Sequence, residues 1–185
     1  MGIAVVAITF PLMNLIIAFC TLVGVGSATI SSIFMGQKDV QRATLVLHNA
    51  TILLLVNGIL VTIVTLIFLD PILLFFGASH ETLPYARDFM QVILIANPIA
   101  YLFVGLNNLM RATGYPRKAM LSSFLTVAVN VVVAPIFIFL LGWGIRGAAL
   151  ATAIAQLTGL VWVLAHFLNK NNYISFKRGC FRLHR

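Results

Sequence analysis

Ordinary catalytic chemistry has little to work with in this chain, because four carboxylates, four histidines and two cysteines are all that 185 residues supply. Asp39, Asp70, Glu81 and Asp88 fall in loops or at the ends of apolar runs, so no mid-run carboxylate stands ready as acid, base or proton relay. His48 and His166 lie within apolar runs but form neither His-x-x-x-His nor His-x-x-Glu spacing, and a structural or interfacial role fits each. Cys20 and Cys180 are too few and too far apart for metal-ligand spacing or a disulfide framework. A membrane hydrolase would have to pair Ser27, Ser31 or Ser122 with His48, and no motif favours that arrangement. No residue is assigned to catalysis or to a metal, and the chain is not read as an enzyme.

Uncharged polarity inside the apolar runs is more informative. Asn14, Asn57, Asn97, Asn107, Asn108, Asn130, Thr152 and Gln156 interrupt them, and in lipid such groups are expected to face other helices or a watery cavity. Thr152 and Gln156 stand four residues apart and share one helix face, beside a ridge of small residues at Gly147, Ala151, Ala155 and Gly159. That ridge suits close helix packing, while the polar pair suits either packing or the lining of a substrate or ion path. Asn130 precedes Ala134 and Pro135 by about one turn, and the proline leaves a carbonyl near Asn130 without its usual donor. Two readings follow: the amide and the freed carbonyl bind a cation or polar ligand, or the amide repairs the kink.

The elements that position these residues follow from composition. With 61% hydrophobic and 9% charged residues and a mean hydropathy of +1.06, the chain has too little polar surface for a water-soluble globule. Its apolar runs are long and lack the alternation of barrel strands, which leaves an all-α protein whose solvent is the lipid bilayer. The net charge of +8 sits at the ends of apolar runs without aromatic-interleaved basic patches, so it is read as membrane topology and not as nucleic-acid binding. The first apolar stretch lacks a basic leader and is too long for a cleavable signal.

Charged residues mark off five intervals long enough to cross a hydrocarbon core of roughly 30 Å, which takes about 20 residues. The expected spans are 2–35, 44–69, 89–110, 119–141 and 147–168, within a transmembrane unit over 1–169 that is followed by a basic tail at 170–185. The first is expected to bend or tilt near Pro11. Of the 12 Lys and Arg, only Arg87 and Arg146 fall on one side of these spans. The other ten place the C-terminus in the cytoplasm and the start of this chain outside. An apolar start on the outer side is most simply explained by a preceding helix, so the chain is expected to be part of a longer protein.

Several separated motifs add a family resemblance. They are Gly24-Val-Gly-Ser-Ala28, Met35-Gly-Gln-Lys-Asp-Val-Gln-Arg-Ala43, Phe76-Gly-Ala-Ser79 with Pro84-Tyr-Ala-Arg-Asp88, Arg111-Ala-Thr-Gly-Tyr-Pro-Arg-Lys-Ala-Met120, Asn130-Val-Val-Val-Ala-Pro-Ile-Phe-Ile138 and Gly144-Ile-Arg-Gly-Ala-Ala-Leu-Ala-Thr152. Through them the chain resembles the multidrug and toxic compound extrusion (MATE) transporters along nearly its whole length. The resemblance implies an incomplete six-helix lobe, the second to sixth helices of the N-terminal lobe, with 170–185 as cytoplasmic tail or inter-lobe linker. It implies part of a secondary active multidrug efflux transporter in the plasma (inner) membrane, exchanging cationic amphipathic drugs or toxins for Na+ or H+. No cofactor beyond the coupling ion is implied, and the partners are the first helix and the C-terminal lobe of the parent.

The family's N-lobe ion site joins an aspartate on the first helix to an asparagine, an aspartate and a threonine on the fifth and sixth. Asn130 and Thr152 match two of these, and Ala134 stands where the second aspartate would be. Coupling is then expected either through carboxylates of the C-terminal lobe or through the first-helix acid without its usual partner. The candidate cavity or ion-path residues are Asn130, Thr152 and Gln156. A non-transporting membrane scaffold, using the small-residue ridge as its partner surface, is the alternative.

Overall fold

The computed structural model describes residues 2–79, 81–140 and 142–168, with side chains from residue 7 onward. The basic tail over 170–185, including Cys180, lies outside the described residues, as does position 141 at the end of the expected fourth span. Among the described residues every regular element is helical: α1 (Gly2–Gly36), α2 (Val40–Ile67), α3 (Leu69–Phe75), α4 (Leu83–Ala112), α5 (Pro116–Pro135), a π-helical turn (Ile136–Leu140) and α6 (Gly144–Leu168). Five are long and apolar enough to cross a membrane, namely α1, α2, α4, α5 with its π extension, and α6.

Local chemistry sets the breaks. Lys38 takes a left-handed backbone conformation (φ 59°), and Asp39 then caps α2 by accepting from the Arg42 amide at 3.0 Å. Pro84 and Pro116 stand in the first turns of α4 and α5, where a missing N–H costs nothing. Gly114 ends α4 at φ 91°, and the amide of Tyr115 reaches back to the Met110 carbonyl at 3.1 Å. Helices overrun the apolar intervals because the charged residues at their ends continue the helix beyond the hydrocarbon: α4 begins at Leu83 and not at 89, and α5 at Pro116 and not at 119.

α4 is the axis of the bundle and packs against α1, α2, α3, α5 and α6. Half of its most apolar window is buried, against none of the corresponding window of α5, so α4 is core and α5 is periphery. Close approach depends on small residues: a Cβ on Gly24 of α1 would lie 3.1 Å from the Gly105 Cα of α4, and one on Gly58 of α2 would lie 3.2 Å from Pro98. Two apolar clusters result, one joining α1, α2 and α4 around Leu12, Leu54, Met90 and Tyr101, the other joining α2, α4 and α6 around Leu47, Leu106, Leu109 and Phe167.

Among the described residues Asn14 meets no other helix: it is exposed, and its amide donates to its own helix at Phe10 O (3.0 Å). Pro135 does more than bend a span, because α5 gives way after it to the π turn over Ile136–Leu140. A proline cannot supply the i→i−4 bond, and a wider turn is one way the helix continues past it.

Candidate functional site

The polar residues of the spans divide into two cross-helix networks. On the first, Asn130 of α5 donates through Nδ2 to the Thr152 hydroxyl of α6 at 3.2 Å, and that hydroxyl donates to Ala148 O at 3.1 Å. The Asn130 amide thus spends a donor on α6 and not on the carbonyls freed by Pro135. Neither reading of Asn130 from residue type includes this bond, since a partner on another helix is a tertiary fact.

The second network lies on α4 and α2. Asn97 is 5% exposed and donates to the Thr62 hydroxyl at 3.1 Å, while Thr62 donates to Leu94 O at 3.2 Å. Nearby, the Tyr101 hydroxyl donates to Ile16 O at 2.6 Å and fastens α4 to α1. Thr62 was absent from the polar residues read from the sequence, although it interrupts an apolar run as Thr152 does; the pattern that picked out Thr152 applies equally to it.

A cavity of about 90 Å³ opens where α1, α4 and α6 meet, walled by Met13 and Ile16, by Ile93 and Asn97, and by Thr152 and Gln156. Thr152 and Gln156 therefore share one space, with Asn130 bonded to Thr152 at its side. Asn97, which sequence reading placed only among the interruptions, supplies the third polar side chain of the wall. No charged residue lines it. This volume holds several waters or a small ion with its hydration, whereas a site for a drug-sized molecule runs to roughly 300–1,000 Å³.

The small-residue ridge lies inside the chain. Gly147, Ala151, Ala155 and Gly159 are all buried. A Cβ on Gly147 would meet Phe137 O at 2.8 Å, and one on Gly159 would meet Thr126 of α5 and Phe103 of α4. The ridge is thus occupied by α5, its π turn and α4, and is closed to an outside partner.

Other chemistry is sparse. Among the described residues no three His, Cys, Asp or Glu side chains come close enough to hold a metal ion. The Ser122 hydroxyl donates to Ala119 O (2.8 Å) and accepts from Asn107 (2.6 Å), and His48 Nδ1 lies 2.8 Å from Thr44 O, so both serve helix packing. The acids sit at the bundle ends, where Asp70 pairs with Arg87 (2.6 Å), Asp88 with Arg146 (2.7 Å) and Asp39 with Arg42 (3.2 Å).

The sequence model of the MatE family matches residues 1–136. The multidrug export protein MepA of Staphylococcus haemolyticus (strain JCSC1435) is 33% identical over 174 residues, which is 94% of this chain. The chain spans only 38% of that relative's length. An inward-facing structure of a multidrug resistance MATE family transporter of the MOP superfamily superposes with a TM-score of 0.92 at 29% identity, over 98% of this chain and 42% of that one. An outward-facing structure of such a transporter superposes with a TM-score of 0.91 at 31% identity, over 98% of this chain and 41% of that one.

Proposed function

We propose, from the premise that the chain belongs to the MatE family, that it is part of one transmembrane lobe of a multidrug efflux transporter that exchanges cationic amphipathic compounds for Na+ or H+. The observation that carries this reading is the polar wall of Asn97, Thr152 and Gln156, backed by Asn130, facing a cavity that is otherwise apolar. Polar side chains without charge give a passing cation or hydrated ion something to bind without trapping it.

The nearly equal likeness to inward- and outward-facing relatives supports a lobe that keeps its internal shape while access changes. Access then changes by motion of this bundle against another, and the substrate lies between them. The cavity of about 90 Å³ is too small for a bulky compound by itself, which favours further walls from a second lobe. The cavity lining holds no carboxylate, and Asn130 and Thr152 are bonded to each other, so the coupling acid is assigned to a helix beyond these five. The end bearing Lys38, Arg42, Arg111, Arg117 and Lys118 is assigned to the cytoplasm because it carries more Lys and Arg than the end bearing Arg87 and Arg146, and the family supports the inner membrane.

Transport is favoured over catalysis because the relative is named an export protein. It is favoured over scaffolding because the ridge that would serve as a docking surface is consumed inside the bundle. The test is dye efflux from proteoliposomes holding this chain alone, under imposed Na+ and H+ gradients, beside a full-length family member. No export next to a working control is expected; gradient-dependent export by the chain alone would overturn the part-lobe reading.

A further inference from the structure

A second pocket lies far from the polar wall, at the cation-rich end of α5 and α6. It is a groove of about 340 Å³ lined by Lys118 and Leu121 on α5 and by Trp162, Ala165 and His166 on α6. Its two halves differ in chemistry. Leu121 and Trp162 are 51% and 44% exposed, so the groove is open on its apolar side. At its other end the Lys118 ammonium sits 5.0 Å above the Tyr115 ring and 3.5 Å from Nδ1 of the buried His166, which holds the charge at the groove. Tyr115 also meets the His166 ring edge to face at 4.7 Å, which fixes both side chains.

Lys118 is exposed, and the described acids are committed elsewhere: Asp39, Asp70 and Asp88 to arginines, with Glu81 in the connection before α4. An ammonium offers three donors, and among the described residues the one hydrogen bond it makes is to His166. The adjacent Arg117 likewise has no carboxylate partner there. A positive end continuous with an open apolar wall complements an amphiphile with an anionic head, and the surrounding solvent supplies one.

We infer that the groove between α5 and α6 binds an anionic phospholipid, its headgroup phosphate against Lys118 and an acyl chain against Leu121 and Trp162. Leu121 lies about one turn inward from Lys118, so the two contacts are spaced as a headgroup and the start of its chain are. The inference is independent of transport, since the groove shares no lining residue with the polar wall.

The experiment is native mass spectrometry of the purified protein with phosphatidylglycerol or phosphatidylcholine of identical acyl chains. Phosphatidylglycerol adducts should survive at higher activation than phosphatidylcholine adducts. Lys118→Gln should weaken phosphatidylglycerol retention roughly fivefold, the worth of one cation near a headgroup. Lys118→Arg should keep it, and Arg42→Gln, at a cation already paired with Asp39, should leave it unchanged. As a readout that needs no variant, phosphatidylglycerol with a photoreactive acyl chain should label the peptides holding Leu121 and Trp162. Equal retention of the two lipids, indifference to Lys118→Gln, or labelling spread over other helices would overturn the inference. Displacement by millimolar inorganic phosphate would also overturn it, since the groove would then be a free-anion site.

Discussion

Asn130 is the side chain on which the site turns, because its amide is the bond between α5 and α6 at the level of the cavity. Removing it in Asn130→Ala strands no charge but frees the Thr152 hydroxyl as an acceptor beside the cavity. Cross-helix hydrogen bonds in membranes are worth about 0.6 kcal/mol on average, so folding should survive while the wall loses its fixed geometry. Dye efflux by a MepA chimera carrying this bundle should fall several-fold in Asn130→Ala, with insertion and yield unchanged. Thr152→Val should give a similar loss, and the double variant little more than either alone, because both remove one bond. Additive losses would mean that the two side chains act separately. The pairing itself could not be read from residue types: the sequence places Asn130 and Thr152 on adjacent spans and the resemblance puts both in one ion site, but which lone pair meets which proton depends on how α5 and α6 pack. Thr62 and Asn97 make the same point from the other side, as two interruptions of apolar runs whose partnership appears only when α2 and α4 are brought together.

At the scale of elements, α6 is held by its glycines. Gly147→Ala places a Cβ against the Phe137 backbone, which cannot swing aside, so the π turn and α6 must separate. Overpacking of this kind costs about 1–3 kcal/mol and should lower the thermal unfolding midpoint in detergent. Gly26→Ala on α1 meets nothing within 4 Å and should leave the midpoint unchanged or raise it slightly. Equal effects at the two sites would contradict the packing described here. The long helices were legible beforehand because a charge inside hydrocarbon is expensive, so the charged residues collect where spans end and mark them. α3 and the π turn were not legible. α3 is a seven-residue helix that its Asp70–Arg87 ion pair ties to α4; Asp70 and Pro71 mark the end of the second span, but seven residues are too few to announce a helix of their own. The π turn reflects how the chain repairs Pro135, which depends on the neighbouring α6 as much as on the proline. The small-residue ridge was legible as a packing surface, but its occupants, Thr126, Phe137 and Phe103, were not.

Orientation rests on the asymmetry of cations, and the chain provides its own reporter in Cys180, since its other cysteine, Cys20, is buried in the bundle. A membrane-impermeant maleimide should leave Cys180 unlabelled in intact cells and label it after permeabilisation, whereas Glu81→Cys at the opposite end should react in intact cells. Labelling of Cys180 from outside would invert the topology. The central claim is that this bundle works as part of an efflux lobe, and the most direct measurement is transport by a chimera in which residues 1–168 replace the corresponding stretch of the staphylococcal MepA protein. The expected result is gradient-dependent dye efflux within about an order of magnitude of the parent, falling a further several-fold when Asn130→Ala is added. A chimera that inserts and is as stable as the parent yet moves no dye, or one whose efflux ignores Asn130→Ala, would contradict it.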